Sequence, residues 1–363
     1  MNILIVGPYP PLKGGISDFN FKLLKHLKKH EFVYFICFDR NYPFFLRSKR
    51  KQILNKNINL QNILKINPYN PLCYIKIQNF VKEKNISKII TTYWTPITGL
   101  SYLLINSIVS NKIKKIGLFH NIFPHEKYFF DKKILKYYIK TLDKALTLSK
   151  YTSKQLLDFS NLDSYILFHP VDELKNISKK KSLEKLGLNK NFKYILFMGM
   201  IRKYKGLELL LRALKKVVKF DANIKLIIAG EFIERKKNYK KLIKELSLDN
   251  YIILRDKFIE YKKIQYYMCV SELIVQPYIK ATQSGITSMA ISHNKIIVTT
   301  AEGGIKETVN NDNGYICSKD PISISKKIIS ALKSNNEKKI KNLVDLKKKL
   351  SWNNFCLKLI KNI

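Results

Sequence analysis

Two basic side chains stand three residues apart where they could act on a phosphate. Arg202 and Lys205 lie in "FMGMIRKYKGLELLLRAL", between an apolar strand pattern and a helical pattern. Arginine is scarce, since only seven of the 67 Lys and Arg residues are arginine. A guanidinium and an ammonium at this spacing could clamp a diphosphate and neutralise a leaving group. The alternative is a solvated pair at a helix N-terminus, which the helix dipole would disfavour slightly.

Small residues follow other strand patterns of the sequence. "KATQSGIT" runs from Lys280 to Thr287 between a strand pattern and a helical pattern, and Gly303-Gly304 repeats the arrangement one βα unit later. Small residues in such turns leave backbone N–H groups open to a ligand that approaches closely. We therefore expect a binding site in these loops.

A glycine pair also follows the first strand, in "PYPPLKGGISDF". Gly14 and Gly15 do not form the GxGxxG dinucleotide fingerprint, and no acidic residue ends an obvious second strand to hold a ribose. A nicotinamide-dependent oxidoreductase is therefore disfavoured. The alternative for this segment is a plain turn with a helix N-cap at Ser17.

The elements that position these loops form two series. Strand patterns occupy 2–7, 32–38, 87–94, 114–121 and 144–149, and then 193–199, 224–231, 251–256, 272–278 and 295–300. Helical patterns include 16–29, 206–219 and 237–247, and we interpret the polar stretch near residue 170 as a linker. The alternation predicts an α/β fold with two Rossmann-like domains and parallel sheets. Ligands are expected at the carboxyl ends of the strands, in the interdomain cleft.

Length and composition agree with two ordinary globular domains. The chain has 363 residues, 46% of them apolar and 26% charged. It has no apolar run of about 18 residues, and "MNILIVGPYPP" lacks a basic leader. The five cysteines form no CxxC pair, which suits a reducing compartment. We expect a cytoplasmic protein.

The formal net charge of +40 comes almost entirely from lysine. Nucleic-acid readers favour arginine for forked contacts with phosphate and guanine, so nucleic-acid binding is disfavoured. A solvated lysine surface is one interpretation. Another is peripheral attachment to an anionic inner membrane through stretches such as "LRSKRKQILNKN".

Taken together, the strand-following segments resemble retaining glycosyltransferases of the GT-B fold, family 4. The segments are "GPYPPLKGGISDF", "LFHNIFPHE", "GxxRxxKGxxxLLxA", "IIAGE", "PYxxATQSG", "TTAEGGIKETV" with "NGY", and "SW" at the final helix. The match extends over most of the chain, and the set is specific in combination although each piece alone is weak.

The resemblance implies a metal-independent hexosyltransferase whose substrates are a nucleotide-diphosphate sugar and a glycan or lipid-linked acceptor, in surface polysaccharide synthesis. It implies an acceptor-side domain over 1–172, a donor domain over 173–340, and a final helix within 341–363 that returns to the first domain. We expect no cofactor and no metal, since the sequence has neither DxD nor a His/Asp cluster with metal spacing.

The resemblance also assigns residues to roles. The expected catalytic residues are His120, Arg202 and Lys205; those expected at the donor are Gly14, Gly15, Gly199, Gln283, Ser284, Gly285, Gly303, Gly304 and Glu307; those on the acceptor side are Asn121, His125 and Glu126. Backbone amides near Ser284 would receive phosphate charge. Alternatives stay open, since His120 could be a core histidine and Glu307 could cap its own helix.

The sequence departs from the family at one motif. Many family-4 members carry two glutamates eight residues apart, and the equivalent positions here are Lys280 and Ser288. "ATQSG" therefore indicates a variant subgroup whose sugar contacts cannot be carried over. Two alternatives follow: a GT-B-fold sugar-nucleotide epimerase, or a non-catalytic binding protein derived from a transferase.

Overall fold

The computed structural model describes residues 1–12, 14–39, 62–123, 130–174 and 177–363. The chain forms two compact units. Unit 1 comprises Met1–His169 and Trp352–Ile363, and unit 2 comprises Pro170–Ser351. The sequence predicted boundaries after residues 172 and 340.

Unit 1 is built on a parallel sheet with strand order β3-β2-β1-β4-β5-β6-β7. The strands are β1 Asn2–Gly7, β2 Phe32–Phe38, β3 Ile63–Ile66, β4 Lys88–Tyr93, β5 Lys114–Phe119, β6 Lys144–Thr147 and β7 Ser164–Ile166. The register between β1 and β2 pairs Asn2 with Phe32 and Gly7 with Cys37. Their near-continuous apolar runs are typical of parallel strands buried on both faces.

Helices cover both faces of this sheet. They are α1 Gly15–Leu27, α2 Leu72–Glu83, α3 Pro96–Ile108, α4 Asp131–Ile139 and α5 Lys150–Leu157. Side chains of α2, α3 and α4 pack with Leu4 and Val6 on one face. Residues Ile3 and Ile5 point to the other face, since successive strand side chains alternate, and pack there with α1.

Unit 2 contains a second parallel sheet, with strand order β10-β9-β8-β11-β12-β13. The strands are β8 Lys193–Met198, β9 Ile224–Ala229, β10 Ile252–Arg255, β11 Ser271–Gln276, β12 Ile296–Thr299 and β13 Tyr315–Ile316. Its helices are α6 Lys179–Leu186, α7 Leu207–Phe220, α8 Lys236–Glu245, α9 Tyr261–Val270, α10 Gly285–Ser292, α11 Pro321–Lys333 and α12 Glu337–Lys349. Since β8, β11 and β12 are adjacent, the loops after them emerge at one edge of the sheet.

The chain ends in helix α13, Trp352–Lys361, which belongs to unit 1. Its Trp352 stacks on His26 of α1 at 5.4 Å between ring centroids and lies 5.2 Å from Phe19. The preceding helix α12 belongs to unit 2, where Leu343 is fully buried. The change of unit thus occurs between α12 and α13.

The local structure differs from the sequence analysis at three points. The stretch interpreted as a linker contains α6, because Ser178 accepts a hydrogen bond from Lys181 N and Gly187 ends the helix with a φ of 62°. Ser17 does not cap α1, since the helix already begins at Gly15 and Ser17 is buried within it. Strands β3, β7 and β13 were not predicted, because they are only four, three and two residues long.

Within the described ranges, no helix combines the length and apolar character needed to cross a bilayer. The lysine-rich segment 46–57 lies outside those ranges.

Candidate functional site

Three loops of unit 2 meet at the carboxyl ends of β8, β11 and β12. The backbone N–H of Ile279 donates to Tyr204 O at 2.7 Å and joins the first two loops. Thr300 Oγ1 donates to Tyr278 O at 2.6 Å, and Gly304 N donates to Thr282 O at 2.8 Å. The loops that the sequence singled out are therefore hydrogen-bonded into one surface.

Close backbone approach explains two glycines in these loops. A Cβ on Gly206, whose φ is 70°, would lie 1.9 Å from Pro277 O. A Cβ on Gly303, whose φ is 56°, would lie 2.0 Å from Ala281 O. A side chain at either position would push the loops apart, and the left-handed φ adds strain for any other residue.

Lys205 is the most unusual group in this surface. Its side chain is half-buried. A Cβ atom at position 199 would lie only 2.6 Å from the Lys205 amine, and the glycine at this position avoids that clash. The amine faces the Tyr278 ring, 5.6 Å from its centroid. Within the described ranges it has neither a carboxylate partner nor a hydrogen bond. Burial lowers the pKa of Lys205; Tyr204 opposes that shift and Arg202 adds to it.

Arg202 stands beside this amine. It is the N-cap residue of the 3₁₀ helix Lys203–Lys205. The backbone N–H of Lys205 donates a hydrogen bond to Arg202 O at 2.9 Å. Helix α7 begins at Leu207, so its N-terminal partial positive charge adds to that of the two side chains. The arrangement concentrates positive charge that a bound anion would compensate.

The N-terminus of α10 adds hydrogen-bond donors to the same surface. Ser284 stands at the N-cap but does not cap the helix, because its hydroxyl lies 3.2 Å from Gln276 Nε2 and 3.3 Å from Tyr278 Oη. Thr287 Oγ1 donates to Gln276 Oε1 at 2.9 Å. This buried polar network fixes the first turn of α10, whose Ile286 side chain lies within 4 Å of the Gly199 position.

The remaining donor-side expectations are placed as follows. Gln283 is half-buried, and Gly285 is exposed with open space around its Cβ position. Glu307 is exposed at the end of the 3₁₀ helix Gly303–Glu307, whereas the half-buried Glu302 stands next to Gly303 and forms an ion pair with Lys319 at 2.9 Å. Sequence reasoning named Glu307 and passed over Glu302.

The positions of the missing family glutamates are both described. Lys280 is exposed, and Ser288 lies half-buried in α10. Neither supplies a carboxylate to the three loops. Any contact that these positions make with a sugar differs chemically from a carboxylate–hydroxyl contact.

Four other predicted residues lie in unit 1. Gly14 caps α1 and Gly15 is its first residue, while Asn121 is half-buried after β5. His120 is only 5% exposed, and its ring packs edge-to-face with Phe19 at 4.6 Å between ring centroids. The acceptor-side residues His125 and Glu126 lie outside the described residues.

The protonation state of His120 is set by its surroundings. Burial, together with a smaller contribution from the nearby His169, lowers the pKa of His120 to about 3. The imidazole is therefore neutral, and its Nε2 has no hydrogen-bond partner among the described residues. A neutral imidazole can exchange a hydrogen bond with a hydroxyl but cannot act as an imidazolium acid. The catalytic role of His120 stays a prediction.

Sequence reasoning missed the residues that hold the site together. Gln276, Tyr278 and Thr287 are all nearly or fully buried and bonded to one another or to Ser284. A signal existed, because a glutamine at the end of the apolar strand "ELIVQ" must find partners when it is buried. Within the described residues, no cluster of three or more His, Cys, Asp or Glu could hold a metal ion.

Comparison with known proteins connects this geometry to a family. Residues 178–349 match the family model described as Glycosyl transferases group 1. The GPI3 subunit of phosphatidylinositol N-acetylglucosaminyltransferase from Saccharomyces cerevisiae is 23% identical over 194 residues, which is 50% of this chain and 40% of that protein. The chain thus spans well under half the length of the curated relatives it matches.

Solved structures resemble the whole chain. Sucrose-phosphate synthase from Thermosynechococcus elongatus superposes with a TM-score of 0.79 at 13% identity, covering 99% of this chain and 98% of that chain. HepE from Anabaena, in complex with UDP, gives a TM-score of 0.76 at 14% identity, covering 99% of each chain. These likenesses establish the GT-B fold, with two parallel sheets in an α/β chain.

Proposed function

We propose that this chain, a GT-B-fold protein whose residues 178–349 match the family model described as Glycosyl transferases group 1, is a glycosyltransferase that uses a nucleotide-diphosphate sugar. The acceptor we propose is a glycan or lipid-linked glycan of surface polysaccharide synthesis. HepE has been crystallised with UDP and with UDP-glucose, which makes uridine nucleotides the first donors to test.

The observation that carries the proposal is the Lys205 amine, which has neither a carboxylate nor a hydrogen-bond partner among the described residues. A half-buried ammonium without a carboxylate or hydrogen-bond partner destabilises the folded chain unless a ligand supplies the missing interaction. Arg202 and the N-termini of α7 and α10 surround it with further positive potential. A diphosphate matches this surface in charge, and its oxygens can accept from Lys205 and the first N–H groups of α10.

The proposed chemistry follows from that fit. As the bond between the glycosyl carbon and the diphosphate oxygen lengthens, negative charge grows on the leaving group. Arg202 and Lys205 would stabilise that charge more in the transition state than in the ground state, which accelerates the step. Gly199 contributes by leaving room for the Lys205 amine. The same two residues bind the substrate and promote departure of the nucleotide.

Retention of configuration is the stereochemical course we propose. The acceptor hydroxyl would attack the oxocarbenium-like carbon from the face that the diphosphate leaves, and its proton would pass to the departing diphosphate oxygen. His120, as a neutral imidazole, would form a hydrogen bond with a sugar hydroxyl through Nε2, which has no partner among the described residues. Gly14, Gly15 and Asn121 stand with it on the acceptor-side unit. No step of this scheme uses a metal ion.

A thermal-shift panel with UDP, GDP, ADP and CMP tests the donor site. Ligand that binds the folded state alone raises the unfolding midpoint by mass action. We expect a rise with one nucleoside diphosphate that is lost in Arg202→Ala. Arg212→Ala is the matched control, because Arg212 is an exposed arginine of α7 that pairs with Glu208. A folded protein that responds to none of the nucleotides would contradict the proposal.

A further inference from the structure

One helix of unit 1 presents an apolar surface to solvent. Helix α3, "PITGLSYLLINSI", contains no charged residue. Leu100 is 47% exposed and Leu104, one turn later, is 42% exposed. Single exposed leucines are common, but an uncharged helix that carries two on one face is unusual for a surface element.

Helices that expose lysines flank α3 on both sides. Helix α3 packs against α4 and against α2 on the same face of the sheet. Helix α4 exposes Lys132, Lys133, Lys136 and Tyr137, and helix α2 exposes Leu72, Ile75, Lys76 and Lys82. We call the surface formed by the exposed side chains of these three helices the α2–α4 face.

Acidic side chains do not balance these lysines. On α2, α3 and α4, the acidic residues are Glu83 and Asp131. Glu83 forms an ion pair with Lys84 at 2.6 Å, and Asp131 is buried. The α2–α4 face is therefore positive at its sides and apolar along its centre.

A groove extends the apolar part of this face. It has a volume of about 390 Å³ and lies between the C-terminal ends of α2 and α3. Its lining includes Val81, Ile86, Ile108, Val109 and Ile113, together with Lys82. The C-terminal ends of α2 and α3 thus add an apolar recess beside a lysine to this part of unit 1.

We propose that the α2–α4 face docks on an anionic lipid bilayer, with Leu100 and Leu104 in the interface and the flanking lysines on the headgroups. Apolar side chains between rows of lysine are the chemistry that holds amphipathic elements at such a surface. A second copy of the chain fits less well, since two copies joined through this face would oppose lysine to lysine. The proposal concerns unit 1 and stands whether or not unit 2 transfers sugar.

Vesicle binding of the full chain tests the proposal. We would measure sedimentation with phosphatidylcholine vesicles, with and without about one third phosphatidylglycerol, at about 0.1 M and about 1 M salt. The variants are the triple Lys132→Gln, Lys133→Gln, Lys136→Gln and the single changes Leu100→Glu and Leu104→Glu. Each adjacent lysine strengthens binding about fivefold, so the triple change should weaken it on the order of a hundredfold. Each leucine change should weaken it at least about tenfold.

Matched controls separate this face from general charge. The triple Lys237→Gln, Lys240→Gln, Lys244→Gln removes three exposed lysines from α8 of unit 2. Leu357→Glu changes a leucine of α13 that is 50% exposed on the other side of the unit 1 sheet. We expect both controls to bind anionic vesicles like the unchanged chain. Circular dichroism and nucleotide-induced thermal shift on every variant establish folding and donor binding independently of lipid.

Three results would overturn the proposal. The first is no binding to anionic vesicles at low salt by the folded chain. The second is equal weakening by the α4 and α8 triples, which would assign any attraction to net charge. The third is a dimer in sedimentation velocity that Leu104→Glu dissociates, which would make the α2–α4 face an interface between copies.

Discussion

Replacing Lys205 by methionine should separate binding from stability. Methionine keeps the length and apolar stem of the side chain but removes the ammonium, which has no carboxylate or hydrogen-bond partner among the described residues. If that charge exists for a ligand, the variant should be more stable without nucleotide and much weaker in binding it. If the role of Lys205 were purely structural, its replacement by methionine would neither raise the stability of the chain nor weaken nucleotide binding.

The expected sizes follow from the surroundings of the amine. An unsatisfied buried polar group destabilises a fold by about 1–3 kcal/mol, and this side chain is only half-buried, so we expect a gain near the lower figure of about 1 kcal/mol in the free energy of unfolding. Hydrogen bonds to charged groups contribute about 1.5–3 kcal/mol, so the dissociation constant for the cognate nucleoside diphosphate should rise about 10- to 150-fold.

Urea unfolding gives the first quantity and isothermal titration calorimetry gives the second. The matched control is Lys203→Met, which removes an exposed lysine from the same 3₁₀ turn. We expect this control to leave both quantities nearly unchanged. If Lys205→Met binds nucleotide as tightly as the unchanged chain, or loses stability, the interpretation of Lys205 as an anion ligand is wrong.

Further predictions concern backbone, protonation and metal. Gly303→Ala should lower the free energy of unfolding by about 1–3 kcal/mol, because its Cβ would meet Ala281 O at 2.0 Å in a left-handed conformation; Gly285→Ala, with open space around it, should be nearly neutral in the same urea titration. Unfolded chains bind more protons than the folded chain between the folded pKa of His120, about 3, and its ordinary value of 6.5, so stability should fall as pH drops through this range; the slope should be shallower in His120→Gln. Because the pKa of Lys205 is lowered in the folded chain, stability should rise as the pH increases toward 10.5, the ordinary pKa of a lysine. Lys205→Met should remove this contribution to the dependence of stability on pH. EDTA should leave nucleotide affinity and turnover unchanged; a loss that Mg²⁺ restores would contradict a metal-independent site.

The long strands could be predicted from sequence because burial on both faces requires continuous apolar runs. The runs 2–7, 32–38 and 193–199 correspond to β1, β2 and β8 within one residue. Strands β3 and β13 were not predicted from the sequence. Strand β3 has four residues, one of them a lysine, and β13 has two residues, so neither shows a recognisable hydrophobic periodicity. Helix α6 escaped because its lysines resemble a solvated linker, although the cap residues Ser178 and Gly187 gave its bounds.

The loops of the candidate site could be located from sequence, but their internal support could not. Position after a strand predicted Arg202, Lys205 and the glycines, since all carboxyl ends of a parallel sheet share one edge. Which polar groups pair there depends on the spacing between neighbouring strands. The bonds of Gln276 to Ser284 and Thr287 therefore required coordinates. The same holds for Glu302, whose ion pair with Lys319 spans two loops.

The most direct test of the account is proton NMR of the purified chain with a panel of nucleotide-diphosphate sugars. Without acceptor, slow transfer to water should release nucleoside diphosphate and a sugar whose first-formed anomer matches the donor. Lys205→Met should abolish this release, while Lys203→Met should not. A sugar altered at another carbon would indicate an epimerase, the opposite anomer would refute retention, and an intact donor panel from a nucleotide-binding chain would contradict glycosyl transfer.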